Sequence, residues 1–225
     1  LTEKVFVTSR LFAGYSGALD AGVLARLIAA LPQGAHGATA AHKRYDAAAC
    51  AVEIPADVGF CALGHNLYAL GSSYSGACPV LSSLVSYGYL WNMVRVQGGA
   101  YGTGMNVRRS GDIFCYSYRD PNLDNTRAMF SAVADFIEDF AAQGMPLDDI
   151  IIGAVNTTDP LLDPAGVCES QCVRALKGVT PEELAKTRHE LLATKPADLA
   201  AMAGVLRKYA REGKFCTFSG TNGGA

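Results

Sequence analysis

Histidine is scarce in this sequence, and its spacing excludes two zinc motifs. The 225 residues contain four histidines, at positions 36, 42, 65 and 189. His189-Glu190 begins like H-E-x-x-H, but Ala193 stands where the second histidine is needed, and the inverted order H-x-x-E-H occurs nowhere. We therefore predict no metal site within this chain, and we interpret His65 as a hydrogen-bonded structural residue.

The sequence also lacks paired cysteine motifs. Its cysteines, at positions 50, 61, 78, 115, 168, 172 and 216, are an odd number, are widely spaced and include no C-x-x-C pair. Cys168 and Cys172 would share a helix face, but no histidine lies near them in sequence to complete a metal set. We interpret the cysteines as free thiols that act as small apolar side chains in a reducing compartment.

Neither a strong net charge nor a long apolar run is present. Lys+Arg 19 against Asp+Glu 21 gives a net charge of -2, which would not attract a polyphosphate backbone, so we predict no nucleic-acid partner. The longest apolar stretch, residues 80–96, is interrupted by polar residues and is shorter than the roughly 20 residues of a membrane span, so we predict no membrane partner. The sequence opens on Leu1 without a signal peptide, and we expect a piece of a longer chain.

Apolar residues make up 50% of the sequence, which is enough for a large core. Their periodicity predicts strands at 47–54, 58–68, 101–107 and 112–119, and helices at 18–31, 79–97, 124–142, 147–155, from Thr180 onward, and 196–211. Alternation predicts that Phe114, Tyr116 and Tyr118 form one buried face, and Thr180 with Glu183 predicts a capping box. Strand pairs that alternate with single helices predict an α+β fold, with an antiparallel sheet, helices packed on one face and a helical C-terminal third. No Pro-, Gly- or Ser-rich linker divides the chain, so we predict a single domain over residues 1–225.

The centre of the sequence carries the strongest local pattern. The predicted helix 79–97 delivers Arg95 in its last turn, Gly98 and Gly99 break the helix, and Tyr101 follows at the entrance of a strand. Two hydrogen-bonding side chains would then flank a backbone that can approach a ligand closely. Ordinary packing is the alternative, because the helix dipole favours a terminal arginine and tyrosine is common in sheets. The glycines could equally be a simple helix stop.

Other ligand motifs fail in the same region. The spacing Gly99 to Gly104 fits G-x-x-x-x-G, but Met105-Asn106 replaces the Lys-Ser/Thr of a phosphate loop. A dinucleotide fingerprint fails because Val107 stands where its third glycine belongs. Ser-His-Asp and Cys-His sites remain open, although no local signature supports them.

Two segments carry a resemblance to a known family. The run Leu90 to Gly102, LWNMVRVQGGAYG, and the later run Ser117 to Asn122, SYRDPN, resemble the C-terminal part of the pitrilysin-like zinc peptidases, and most closely the presequence protease branch. The similarity extends more weakly over most of the chain. It implies the last of four homologous domains that close around a chamber, with zinc bound by the first domain and no cofactor bound here.

The resemblance also implies roles for four residues and a set of partners. Arg95 and Tyr101 would bind the peptide substrate near the scissile bond, with Tyr101 polarising a carbonyl, and Gly98 and Gly99 would form the turn between them. Without zinc ligands or a catalytic glutamate, the isolated chain should be inactive. The other domains of the parent chain would be partners, self-association of the fragment is possible, and the compartment would be the cytoplasm or, alternatively, an organelle matrix.

Two other functions stay open on the sequence. One is a catalytically inactive scaffold or interaction domain of the same superfamily, which an absence of H-x-x-E-H from the whole parent chain would favour. The other, an independent small-molecule enzyme, has no residue that supports it.

Overall fold

The structure, a computed structural model, describes residues 6–34 and 48–220. Its contacts divide the chain into two compact units, one of residues 1–46 and 161–183 and a larger one of residues 47–160 and 184–225. The single domain expected over residues 1–225 stays a prediction. His36, His42 and the start of the predicted strand 47–54 lie outside the described residues.

One mixed sheet organises the larger unit. Its strands are β1 (Cys50–Glu53), β2 (Gly59–Asn66), β3 (Gly102–Val107), β4 (Asp112–Asp120) and β5 (Lys214–Ser219), in the order β1-β5-β2-β4-β3. Strands β1 and β5 pair in parallel, and every other pair is antiparallel. The α+β fold is confirmed, but the purely antiparallel sheet was wrong, because β5 returns after the C-terminal helices and inserts between β1 and β2.

Helices fill most of the remaining chain. In the described residues they are a short 3-10 helix (Thr8–Arg10), α1 (Ala21–Ala30), α2 (Ala77–Ser83), a π-helix (Leu84–Gln97), α3 (Leu123–Ser131), α4 (Val133–Ala142), α5 (Asp148–Thr158), α6 (Pro164–Leu176), α7 (Pro181–Ala193), α8 (Pro196–Ala200) and α9 (Ala203–Glu212). The helical C-terminal third is confirmed. Two helices expected to be continuous are broken, near residues 132 and 201, helix α6 was not predicted, and the helix expected at 79–97 widens into π geometry from Leu84.

Local chemistry fixes two of these boundaries as expected. At the start of α7, the hydroxyl of Thr180 accepts from the N–H of Glu183 at 3.2 Å, and the Glu183 carboxylate accepts from the N–H of Thr180 at 3.0 Å. This reciprocal pair is a capping box. Helix α4 stops before Gly144, whose φ of 64° lies in the left-handed region that glycine tolerates.

The helices of the larger unit pack on one face of the sheet. Helices α3 and α9 contact β2, and the π-helix contacts β3. The core between the layers includes the buried side chains of Ile113, Cys115, Phe130, Ile137 and Leu206. Because side chains alternate along a strand, the neighbouring residues of β4 must point to the opposite face.

The opposite face of the sheet, called here the open face, carries aromatic side chains. Phe114, Tyr116 and Tyr118 lie on it, so the expectation that they form the buried face of β4 was wrong. The β4 positions that turn to the helices are Ile113, Cys115 and Ser117. The tyrosines lie instead above glycines of β3: a Cβ at Gly104 would come within 2.9 Å of the Tyr116 hydroxyl, and one at Gly102 would overlap the Tyr118 ring.

Two serines cover the outer edge of β3, the last strand of the sheet. The N–H of Met105 donates to the hydroxyl of Ser86 at 2.9 Å, and that hydroxyl donates to the Met105 carbonyl at 3.2 Å. The N–H of Val107 donates to the hydroxyl of Ser82 at 3.0 Å. The helical segment 77–97 is therefore fixed along this edge, where unpaired strand groups would otherwise invite another strand.

A buried tyrosine ties α9 to the centre of the sheet. Tyr209 is 0% exposed, and its hydroxyl donates to the Leu63 carbonyl of β2 at 2.7 Å and accepts from the Cys115 N–H of β4 at 2.8 Å. Burial raises the pKa of Tyr209 well above its usual value, so the hydroxyl keeps the proton that it donates.

We predict that Tyr209→Phe destabilises the larger unit, because it leaves one carbonyl and one N–H buried without a partner. The expected loss is about 1–3 kcal/mol for each group. Amide hydrogen exchange of β2 and β4, together with thermal unfolding, measures it. The matched control is Tyr87→Phe, at an exposed tyrosine, which should change stability by no more than about 0.5 kcal/mol. Equal stability of the two variants would contradict the bridging role.

Candidate functional site

Two of the four predicted site residues, Arg95 and Tyr101, line one cleft in the larger unit, and Gly98 and Gly99 are not among its lining residues. The cleft has a volume of about 510 Å³. Its wall is formed by the helical segment 77–97, including Tyr87, Trp91 and Arg95. Its floor is formed by β3 and the open face of β4, including Tyr116 and Tyr118. Tyr101 lines the same cleft from the entrance of β3. The structure therefore brings Arg95 and Tyr101 together across one concave surface.

Arg95 is held by an aromatic ring rather than by an acid. Its guanidinium lies 3.9 Å from the centroid of the Trp91 ring, one helical turn earlier. Within residues 6–34 and 48–220, no carboxylate pairs with it and no acceptor takes its hydrogen bonds. A cation–π contact fixes the guanidinium without using its N–H donors. These donors are free to bind a ligand in the cleft.

Tyr101 lines the cleft with a largely exposed side chain. The side chain is 59% exposed, and its ring lies 5.6 Å from the ring of Tyr118. The guanidinium of Arg119, the residue after Tyr118 in β4, lies 5.5 Å from the centroid of the Tyr101 ring. Across the described part of the chain, the hydroxyl has no hydrogen-bond partner. The ring is therefore supported by neighbours while the polar tip remains available.

Gly98 and Gly99 end the π-helix between the two side chains. The N–H groups of both glycines donate to the Arg95 carbonyl, that of Gly99 at 3.0 Å, and the N–H of Ala100 donates to the Val94 carbonyl at 3.1 Å. Gly99 has a φ of 83°, which lies in the left-handed region. This geometry is that of a helix stop, with both glycine donors used within the turn. Their contact with a peptide stays a prediction.

A buried acid anchors the second of the two sequence segments. Asp120 is 1% exposed, and its carboxylate accepts from the hydroxyls of Ser117 and Thr126, each at 2.6 Å, and from the N–H of Asn122 at 2.8 Å. These donors come from β4, from the turn after it and from α3. The carboxylate thus joins the end of β4 to the start of α3.

Arg119, directly before this anchor, connects it to the cleft. Its φ of 49° is the one positive value among the described non-glycine residues. Its carbonyl accepts from the N–H of Tyr101 at 3.2 Å. The backbone of Tyr101 is therefore fixed by a segment that the Asp120 network holds.

Sequence reasoning did not assign roles to Trp91 and Tyr118, although both lie in the two segments that carry the resemblance. The spacing of Trp91 and Arg95, four residues apart on a helix, was a usable signal. For Tyr118 the signal was weaker, because its position beside Tyr101 depends on the register that pairs Gly102 with Tyr118.

The described residues do not fit a zinc ion. In ranges 6–34 and 48–220, no three side chains of the His, Cys, Asp or Glu types lie close enough to hold a metal. His65 accepts from the N–H of its neighbour Asn66 at 2.8 Å. Among the helices of the described ranges, none has both the length and the apolar character to cross a bilayer.

Comparison with known proteins identifies relatives of this chain. The sequence model of the family described as PreP C-terminal domain matches residues 50–218. Protein HypA of Clostridium perfringens is 32% identical over 160 residues, which are 71% of this chain and 16% of that protein. Presequence protease 1, chloroplastic/mitochondrial, of Arabidopsis thaliana is 34% identical over 154 residues, or 68% of this chain and 14% of that protein. The chain thus spans only a small part of these relatives.

Solved structures share the fold. A peptidase M16 inactive domain from Pseudomonas fluorescens superposes with a TM-score of 0.60 at 13% identity, covering 91% of this chain and 51% of that one. A protease from Helicobacter pylori gives a TM-score of 0.57 at 15% identity, covering 91% and 53%.

The helix stop beside Arg95 can be tested by adding one methyl group. Gly99→Ala should cost about 1–2 kcal/mol, because an L side chain is strained at a φ of 83°. The same change at Gly204 in α9, where a Cβ would meet nothing within 4 Å, should stabilise by up to about 1 kcal/mol. Thermal unfolding compares the two variants. If Gly99→Ala left the stability unchanged, the left-handed backbone conformation at residue 99 would not require glycine.

Proposed function

Because the chain belongs to the PreP C-terminal domain family, we propose that it is the last of four homologous domains of a pitrilysin-like zinc peptidase. In this proposal it closes a chamber and binds an unstructured peptide while another domain cleaves it. The names of two relatives, presequence proteases of Arabidopsis thaliana and Emericella nidulans, support this assignment. The fold shared with M16 structures is consistent with it.

The observation that carries the proposal is the pair of unused donors in the cleft. Arg95 offers N–H groups and Tyr101 offers an O–H group, and neither has a protein acceptor among the described residues. An extended peptide presents a row of carbonyl acceptors that such donors can bind. The partly buried cleft strengthens these hydrogen bonds, because less water competes for them.

In this proposal the two side chains have different tasks. The guanidinium of Arg95, fixed over Trp91, holds the peptide backbone in position. The hydroxyl of Tyr101 donates to the carbonyl oxygen of the bond to be cleaved, where negative charge develops. Gly98 and Gly99 set the turn that separates the two residues. Zinc would activate water in another domain, and this chain would bind and orient the substrate.

A catalytically inactive domain of the same superfamily is the second candidate. The similarity in fold to a peptidase M16 inactive domain from Pseudomonas fluorescens favours it. An H-x-x-E-H motif elsewhere in the parent chain would favour the peptidase. Location in the cytoplasm or an organelle matrix, and self-association of the fragment, remain predictions.

We predict that Arg95→Gln and Tyr101→Phe each impair peptide cleavage by the full-length protein. Losing the charged donor should lower kcat/KM about 10–100-fold. Losing a donor to the developing oxyanion should lower kcat about 100-fold. Zinc content should not change, because neither residue is placed at the metal.

The control for both variants is Arg211→Gln. Arg211 is exposed and pairs with its neighbour Glu212 at 2.7 Å, so this change removes a charge without altering the cleft. Steady-state kinetics with a fluorogenic peptide and metal analysis give the two readouts. Wild-type turnover in Arg95→Gln and Tyr101→Phe would refute the assigned roles, whereas an inactive wild-type protein would favour the scaffold.

The cation–π contact provides a separate test. Trp91→Leu should lower kcat/KM about 2–30-fold, because it removes the ring that fixes the guanidinium. In the Arg95→Gln background the same substitution should cause little further loss. Independent, additive losses would show that Trp91 does not act through Arg95.

A further inference from the structure

Two cysteines far apart in sequence face each other across the sheet. Cys50 of β1 and Cys216 of β5 are direct partners in the parallel ladder. Neighbouring strands lie about 4.7–4.9 Å apart, which falls within the roughly 4.4–6.8 Å separation of Cα atoms in disulfides. Register partners in adjacent strands also point their side chains to the same face, so the two thiols meet on the open face.

The two thiols are in contact and reachable. Cys50 is exposed and Cys216 is half-buried. A hydrogen bond with the Cys216 side chain raises the pKa of Cys50 above its usual value, so the attacking Cys50 thiolate becomes more abundant as the pH rises. Among the strands that the structure describes, β1 is at the edge of the sheet and has β5 as its sole partner. An edge strand can shift slightly to reach disulfide geometry.

The other described cysteines lack this combination. Cys61, Cys78 and Cys115 are buried, and burial raises the pKa of Cys61 to about 11 and that of Cys115 to about 12. Buried inside the core, these thiols are out of reach of a small-molecule disulfide.

Cys168 and Cys172 are half-buried and lie one turn apart on α6. Side chains one turn apart on a helix point in the same direction. That arrangement is unfavourable for a disulfide.

We propose that Cys50 and Cys216 form a dithiol site that small-molecule disulfides, such as glutathione disulfide, convert into a cross-strand disulfide. The Cys50 thiolate attacks one glutathione sulfur, and the first glutathione leaves as a thiol. The Cys216 thiolate then attacks the Cys50 sulfur and displaces the second glutathione. The protein loses two electrons, glutathione disulfide gains them, and the two cysteine protons end on the released thiols.

The bond would link β1 covalently to the sheet that carries the cleft. The row of paired residues that starts at Cys50 and Cys216 continues through Ala62 of β2 to Tyr116 of β4, and Tyr116 lines the cleft. In the oxidised state, the disulfide would therefore fix β1 to β5 on the open face, which also carries the cleft. This inference does not depend on the peptide-binding proposal.

The test uses the full-length protein in its native state. It is incubated with excess glutathione disulfide, quenched with N-ethylmaleimide, digested and analysed by mass spectrometry. We expect a linked pair of peptides containing Cys50 and Cys216, lighter by two hydrogens than the two reduced peptides together, that dithiothreitol separates. Formation should accelerate as the pH rises, since the thiolate is the nucleophile. Recovery of both residues as separate maleimide or glutathione adducts would overturn the proposal.

Variants distinguish the pair from single thiols. Cys216→Ser should leave Cys50 as a stable mixed disulfide with glutathione, whereas the double variant Cys168→Ser/Cys172→Ser should form the cross-link as the wild type does. Phenylarsine oxide, which bridges adjacent thiols without oxidising them, should protect Cys50 and Cys216 together from maleimide. Independent labelling of the two residues in its presence would also overturn the proposal.

Discussion

The carboxylate of Asp120 is the constraint on which the geometry of the cleft depends. A charge that is nearly excluded from water must be fully hydrogen-bonded, and here the donors come from β4, the following turn and α3. Satisfying that charge fixes where the sheet ends and the helix starts. It also fixes Arg119 in its left-handed conformation, and the carbonyl of Arg119 in turn holds the backbone of Tyr101. The exposed tyrosine is thus positioned by an acid that never reaches the cleft.

The opposite wall is positioned by hydroxyl groups. Ser82 and Ser86 complete the hydrogen bonding of the β3 edge, so the helical segment that bears Trp91 and Arg95 cannot slide along the strand without leaving backbone groups unpaired. The Arg95 side and the Tyr101 side are therefore both set by polar contacts of the backbone. The aromatic side chains between them form the surface of the cleft but do not fix the relative position of its two sides.

Local signals in the sequence predicted local features well and non-local ones poorly. The capping box at Thr180, the helix stop at Gly99 and strands β2 to β4 follow from neighbours within a few residues, and the resemblance paired Arg95 with Tyr101. Strand β5 could not be placed, because its partners Cys50 and Phe60 lie more than 150 residues earlier. Alternation predicted which residues of β4 share a face, but not that the helices cover Cys115 rather than Tyr116. The contact between Cys50 and Cys216 could not be predicted either, because it depends on the same long-range pairing of β1 with β5.

The glycines of β3 give the cleft a property that its lining side chains do not reveal. Tyr116 and Tyr118 can lie flat only because Gly104 and Gly102 beneath them carry hydrogen atoms in place of methyl groups. The depth of the cleft therefore depends on Gly102 and Gly104, which lie under the aromatic rings. Side chains around the rim could be exchanged without changing this floor, while a single methyl group at either glycine would lift a ring into the open space of the cleft.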